Sequence, residues 1–384
     1  MTAFTPRKTL ATLAVAVVAA AGGPPAWADI TIGVSLPLTG PASSLGIPLQ
    51  NMVKLWPQQI AGEKLNVIVM DDAGDPSKGV DHVRRFVEHK ADLVMGSIVT
   101  PVAAAQAQLL FDAQTPQFAL APVMLPPGKE TWTFRMSQGT ALMASIVVDE
   151  LIKAKVKTVG FLGYADAYGE GWLTEVNKLL ASRPGAPKMV AVERFARTDA
   201  SVTGQAIKLV SANPEAILVA ASGGGAAMPH RGLVERGYKG PIYQTHAAAS
   251  RDFIRLGGKD VNGAHVLASP SVAAEQIPAH HPSKAHALDF VKQYEGAYGA
   301  GTRAIFAASA YDVMVLLGKT VPVALKAGRP GTPEFRTALR DATERLGPTA
   351  MSNGVMHFTK DDHWGHTAHS GLVVRVDNGD WKVE

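Results

Sequence analysis

The sequence predicts an α/β protein made of two successive units of parallel sheet covered by helices. Two observations carry that expectation. Short apolar runs alternate with segments of helical period, and the alternation breaks off near residue 121 and restarts at Thr158. The 384 residues, 47% hydrophobic and 18% charged, suffice for two domains with substantial cores.

The first unit is expected to hold strands at 30–36, 65–70, 92–95 and 117–121, separated by helices at 48–60, 76–90 and 101–113. The second holds strands at 158–162, 189–195, 216–220, 242–244 and 264–268, with helices at 170–181, 202–211 and 229–236. Beyond about residue 275 the pattern is helical, most clearly at 282–298 and 303–326, and it ends in strands at 354–358 and 372–376. Helices without strands cannot found a third sheet. Residues 273–349 are therefore expected to return to the first unit and the last strands to join the second. This divides the chain into lobe I, residues 29–141 plus 273–349, and lobe II, residues 142–272 plus 350–384. The chain then passes between lobes about three times; such passages form a hinge, and the cleft between lobes is the default ligand site.

Arg7 and Lys8 precede an apolar stretch from Leu10 to Ala21, followed by Gly22-Gly23-Pro24-Pro25 and the small-residue tripeptide Ala26-Trp27-Ala28. That is the pattern of a secretory signal peptide over residues 1–28, with the mature chain starting at Asp29. The apolar run is shorter than the ~20 residues that span a bilayer, and no other segment reads as a span, so no membrane insertion is expected. The chain has no cysteine, hence neither a disulfide nor a thiol for lipid attachment. A soluble periplasmic protein is the expectation. The 37 basic and 33 acidic residues form no basic run, which argues against a nucleic-acid partner.

Enzyme signatures are missing: there is no G-x-S-x-G, no H-E-x-x-H and no G-x-G-x-x-G after a strand, and no nucleophile–base pair can be named. Gly318-Lys319-Thr320 imitates the end of a phosphate loop, but Val313 stands where its first glycine belongs and the segment reads as mid-helix. Ser222-Gly223-Gly224-Gly225 follows a strand and is open to two readings, an anion-binding nest or a flexible loop at the cleft edge. His363, His366 and His369, with His280, His281 and His286, invite a zinc site. Gly365 and the nearby strands suggest a turn, so a solvated surface loop is expected, with no metal or cofactor. Thr100-Pro101 reads as an N-cap followed by proline at the first helical position, just after the strand ending near Gly96. The free N–H groups of such a helix start, at the carboxyl edge of a parallel sheet, suit a carboxylate.

Four stretches together resemble a known family: Ile32-Gly33-Val34 through Leu38-Thr39-Gly40-Pro41, Asp71-Asp72-Ala73-Gly74-Asp75-Pro76, Arg135 after Thr133-Phe134, and Tyr168-Gly169-Glu170-Gly171. In order and spacing they are similar to the type I periplasmic binding proteins of branched-chain and hydrophobic amino-acid ABC transporters, the leucine/isoleucine/valine-binding class. The resemblance covers essentially the whole mature chain. It implies two Rossmann-like lobes joined by a three-crossover hinge. It also implies a non-catalytic receptor that hands a small molecule to an inner-membrane ABC permease.

The resemblance places Leu45 against the ligand side chain and Thr100 on the ligand carboxylate. Val123 and Leu125 fall on the next loop, where the family often has threonine at the latter place. Tyr168 closes from the second lobe, and Ser222 replaces a family aromatic. His246 stands where amino-acid binders carry an acidic residue for the α-ammonium group. Burying that ammonium without its counter-ion costs several kcal/mol. An organic acid lacking the ammonium is therefore expected, an aromatic carboxylate among them, since some relatives carry such compounds. The rival readings are a branched-chain or hydrophobic amino-acid binder and a ligand sensor for a signalling receptor. Gly74 and Val99 occupy positions where some members have a disulfide, so that crosslink is absent.

Overall fold

The computed structural model describes residues 1–3 and 29–384; the expected signal peptide falls almost wholly on residues 4–28, outside the described residues. The first unit runs β1 (Ile30–Leu36), α1 (Ser43–Val53), β2 (Gln59–Ile60), β3 (Glu63–Asp71), α2 (Pro76–Glu88), β4 (Leu93–Gly96), α3 (Thr100–Asp112), β5 (Gln117–Ala119) and β6 (Thr133–Arg135). The second runs α4 (Thr140–Lys153), β7 (Thr158–Tyr164), α5 (Ala167–Ser182), β8 (Lys188–Phe195), α6 (Thr203–Ser211), β9 (Ala216–Ala220), α7 (Ala227–Glu235), β10 (Ile242–Gln244), α8 (Arg251–Gly257) and β11 (His265–Ala268). The chain ends with α9 (Lys284–Tyr298), α10 (Ile305–Ala324), α11 (Pro333–Glu344), β12 (Thr349–Met351), β13 (Gly354–Met356), β14 (Leu372–Asp377) and β15 (Asp380–Val383).

The first sheet has the order β2-β3-β1-β4-β5-β6 and is parallel except for β2. The second has the order β15-β14-β11-β10-β9-β7-β8, with the antiparallel β14 and β15 added at one edge. Strands covered on both faces read as unbroken apolar runs, and β1 and β9 are buried along their whole lengths. Gly33 in β1 has a packing reason: a Cβ there would sit 2.5 Å from the Phe86 ring of α2.

The late helices return to the first sheet. Trp56 Nε1 donates to Ala310 O of α10 (3.1 Å), Tyr298 OH to Asn51 O (2.9 Å) and Gly331 N to Asp92 Oδ1 (2.6 Å). Helix α10 is long and apolar enough to cross a membrane, contrary to the sequence expectation, but most of it is buried within the fold. Four other elements depart from expectation. Helix α1 starts at Ser43 and carries Pro48 inside it, and Gln59–Ile60 forms an edge strand. Helix α4 was not anticipated; its N-cap is Gly139, which has no side chain to signal a start. Gly354–Met356 pairs with β12 in a separate hairpin and not with the second sheet.

The chain passes between the sheets at 136–139, 269–283 and 357–371, and Asn353 ties the three passages. Its Oδ1 accepts from Ser269 Oγ (2.7 Å) and Ser271 Oγ (2.6 Å), and its main-chain O accepts from Gln138 Nε2 (3.2 Å), which also donates to Ser370 O (3.3 Å). Asn353 Nδ2 donates to Ile305 O and Ser309 Oγ of α10. Asp312 accepts from Ser352 N (2.7 Å), Ser352 Oγ (2.7 Å) and Asn353 N (3.0 Å). All these side chains are buried, so each lost bond leaves a desolvated partner. Asn353→Ala is expected to cost about 2–4 kcal/mol in urea unfolding, while the same change at exposed Asn177 of α5 destabilises by no more than about 0.5 kcal/mol.

Candidate ligand site between the lobes

In each sheet the strand order reverses about the first strand: β1 lies between β3 and β4, and β7 between β8 and β9. Ligands of open α/β sheets sit outside the carboxyl ends of the strands at such points. Here the two switch points face one another. Gly224 N donates to Ser44 Oγ (3.4 Å), and a Cβ at Gly223, whose φ is +51°, would lie 2.6 Å from Ser44 Oγ and 2.8 Å from Leu45 Cδ2. The run Ser222–Gly225 is thus an interlobe seam at the cleft edge that opens a short 3-10 helix, and of the two readings open to it the nest gives way to this contact.

Behind the seam lie two adjoining spaces that share Pro122 and Tyr168 as walls. The inner is a chamber of about 30 Å³ lined by Leu45, Ile98, Ser137, Arg197, Ser222, His246 and residues of α10. The outer is a largely apolar cavity of about 410 Å³ lined by Thr100, Met124, Leu142, Thr174, Glu175, Trp364 and His366 among others.

Of the expected site residues, Leu45, Tyr168, Ser222 and His246 line the inner chamber, and Thr100 and Tyr168 the outer cavity. Thr100 is the first residue of α3 and not its cap; Val99 holds that place and no side chain caps the helix. Val123 and Leu125 line neither space. Val123 is buried with Ala103, Ala119 and Ala121, and Leu125 packs against the same cluster. In this extended loop neighbouring side chains point opposite ways, so Pro122 and Met124 take the cleft side. The loop is held by buried Arg135, whose Nε donates to Val123 O (2.8 Å), whose Nη2 pairs with Glu130 (2.9 Å), and whose guanidinium stacks 4.5 Å from Trp364.

Tyr168 stands at the start of α5, where Asp166 Oδ1 accepts from the N–H groups of Tyr168 (2.9 Å) and Gly169 (3.3 Å). Its hydroxyl donates to Thr245 Oγ1 (2.8 Å), which donates to Ala221 O (3.0 Å). Burial pushes the phenol above its ordinary range, so it stays neutral. Arg197 is the cation of the inner chamber. Its Nε pairs with Asp166 (2.6 Å), its Nη1 donates to Ser222 Oγ (3.0 Å), and its guanidinium lies 4.0 Å from the Tyr164 ring. His246 is 4% exposed, its ring 5.9 Å from that of Trp172, and its Nδ1 has no partner. Burial, with a lesser push from His366, lowers its pKa to about 3.

The histidine cluster near the C-terminus is a solvated loop only at His369, which is exposed. His363 is buried, stacked on Phe134 at 4.1 Å, with Nδ1 donating to Glu130 O (2.9 Å) and Nε2 at 3.1 Å from Glu344. His366 is part-buried against the outer cavity. Among the described residues no three His, Cys, Asp or Glu side chains are placed to hold a metal ion. A serine–histidine pair missed in the sequence occurs at Ser35, 3.0 Å from His82 Nδ1, but Ser35 Oγ already donates to Asp72 Oδ2 (2.9 Å). His82 must then be the donor, and Ser35 is wholly buried, so the pair ties β1 to α2 and offers no nucleophile. Arg197 and Trp364 escape the sequence reading, since each reaches the cleft from a segment whose local pattern carries no signal, and His366 is singled out there only as a candidate zinc ligand.

A profile of the periplasmic binding protein family matches residues 29–380. The chain belongs to that family. The family consists of binding proteins and implies a periplasmic location. The chain is 27% identical over 249 residues to the Leu/Ile/Val-binding protein homolog 3 of Brucella melitensis, covering 62% of this chain and 67% of that one. Matches to further Leu/Ile/Val-binding proteins span about half of their length. Among solved structures, an extracellular ligand-binding receptor from Rhodopseudomonas palustris is 43% identical with a TM-score of 0.90, covering 93% of this chain and 99% of that one. An ABC-transporter solute-binding protein from R. palustris, solved with benzoate, shares the fold at 18% identity and a TM-score of 0.77, covering 93% of this chain and 95% of that one.

The buried neutral histidine makes a pH prediction. The folded-state pKa of His246 lies below its unfolded value of ~6.5, so its stability contribution is present above ~6.5 and is lost as pH falls below it. Relative to a His246→Gln variant, the wild-type protein should lose about 1–2 kcal/mol between pH 7 and pH 5 in parallel urea titrations.

Proposed function

We propose that this receptor binds a small organic acid lacking an α-ammonium group, of which an aromatic carboxylate is the preferred class, and delivers it to an ABC permease by hinge closure. The observation that carries the reading is the charge on the inner chamber walls. They hold neutral His246 and the cation Arg197, and the one carboxylate beside them, Asp166, is spent on Arg197 and on the start of α5. A buried ammonium would lack a counter-ion there, whereas a carboxylate is met by the free N–H groups at the start of α3, with the guanidinium of the Arg197–Asp166 pair nearby. The outer cavity, walled by Trp364, Met124, Leu142 and Tyr168, has room for an aromatic ring. The benzoate-bound relative is in keeping with this choice. Because ligand would touch both lobes at once, it favours the closed state over the open one, and the closed state is what a permease would read.

A second reading, an amino-acid receptor, is favoured by the names of the curated relatives and by Glu175, a carboxylate on the outer cavity wall. Glu175 lies 3.7 Å from Lys178, which weakens its claim on a ligand ammonium. A sensory role would use the same site, and isolation of a permease or of a signalling receptor as the partner separates the two.

Thermal-shift measurements on protein stripped by unfolding and refolding should show stabilisation by benzoate or phenylacetate and none by leucine, isoleucine or valine. Ligand at ~100 times its dissociation constant adds about 2.7 kcal/mol. Thr100→Ala and Tyr168→Ala should each weaken acid binding roughly tenfold or more by calorimetry. Unchanged affinity in both variants contradicts the site, and a shift with leucine alone contradicts the ligand class.

A further inference from the structure

His366 carries a chemical demand that none of the described residues meets. Its Nε2 lies 3.2 Å from the main-chain O of Met136, in the first passage between the lobes. A carbonyl only accepts, so Nε2 bears the ring proton and Nδ1 of the neutral ring is left with a lone pair. Burial keeps the ring neutral, lowering its pKa to about 4. Nδ1 is enclosed and has no hydrogen-bond partner. Thr100, Thr140 and Thr174 bring hydroxyls to the same cavity, yet none bonds to it. An enclosed acceptor facing no donor is costly unless something that enters the cavity satisfies it.

We propose that His366 Nδ1 accepts a hydrogen bond from a hydroxyl on the bound ligand, so that this residue selects hydroxylated organic acids over their deoxy counterparts. The inference rests on the reading of the cleft as an acid site and adds a second polar point to it. The acid group is held at one end, the body of the ligand lies against Trp364 and Met124, and the hydroxyl meets the imidazole on the third passage between lobes. A site built around a hydrogen-bond partner rejects a ligand that lacks it more sharply than an apolar pocket rejects a missing methylene.

The test is calorimetric titration of the ligand-stripped protein at pH 7.5 with matched pairs. These are 4-hydroxybenzoate with benzoate, 4-hydroxyphenylacetate with phenylacetate, and 6-hydroxyhexanoate with hexanoate. At least one hydroxylated member should bind about tenfold or more tightly than its partner. In His366→Gln the side-chain amide nitrogen can keep the Met136 bond while the Nδ1 acceptor is gone. That variant should bring the pair to within about threefold, through weaker binding of the hydroxylated member. In His366→Asn, whose Oδ1 falls near the place of Nδ1, the preference should persist. Equal affinities within every pair, or a preference undiminished in His366→Gln, overturn the proposal while the acid reading stands. Binding of leucine with no acid bound overturns both, and so does binding of nothing in the panel.

Discussion

One buried amide, Asn353, bears on every part of the structure that matters for binding. Two sheets joined by three separate passages would be loosely related if those passages moved independently. Asn353 bonds to serines of the second passage with its side chain, to Gln138 of the first with its carbonyl, and through Gln138 to Ser370 of the third. Asp312, lifted by burial to about 7, receives the N–H groups of Ser352 and Asn353 from below. Because these groups are buried away from water, the bonds tie the passages into one unit. Ser137, beside Gln138, lines the inner chamber, so the hinge forms part of the site wall.

The site chemistry follows from what that hinge brings together. Lobe I supplies a helix start and an apolar loop; lobe II supplies Tyr168, Arg197 and His246; and the third passage supplies Trp364 and His366. Both cleft histidines are held neutral by burial, and each keeps an unpartnered Nδ1. These neutral imidazoles, with Arg197 paired to Asp166 and Glu175 near Lys178, are the basis for proposing an anion over a zwitterion. On the proposed reading, closure removes these groups from water and the ligand would be the partner that offsets the loss.

Much of this architecture is readable in the sequence because parallel strands covered on both faces leave unmistakable apolar runs, as at Ile30–Leu36 and Ala216–Ala220. Where local signals mislead, a physical cause is at hand. Pro48 looks like a helix start, but α1 begins at Ser43 and tolerates the proline inside it. Thr100-Pro101 looks like a cap and first residue, yet the helix starts one residue earlier and leaves the Thr100 hydroxyl uncommitted to the backbone. Tyr168 and His246 could be picked out by resemblance, and both line the inner chamber. Val123 and Leu125 could not be oriented, since the side of a loop a residue faces depends on Arg135 and the alanine cluster beneath it. Arg197 and Trp364 have no local pattern at all, the spacing of His366 suggests a metal and not a ligand cavity, and only the folded chain sets the three beside the cleft.

The most direct test of the account is the chemical identity of the molecule the receptor carries. Protein purified natively from periplasmic extract would be denatured and the released small molecule identified by high-resolution mass spectrometry. The account predicts a carboxylic acid with no basic nitrogen; leucine, isoleucine or valine in stoichiometric amount would contradict it.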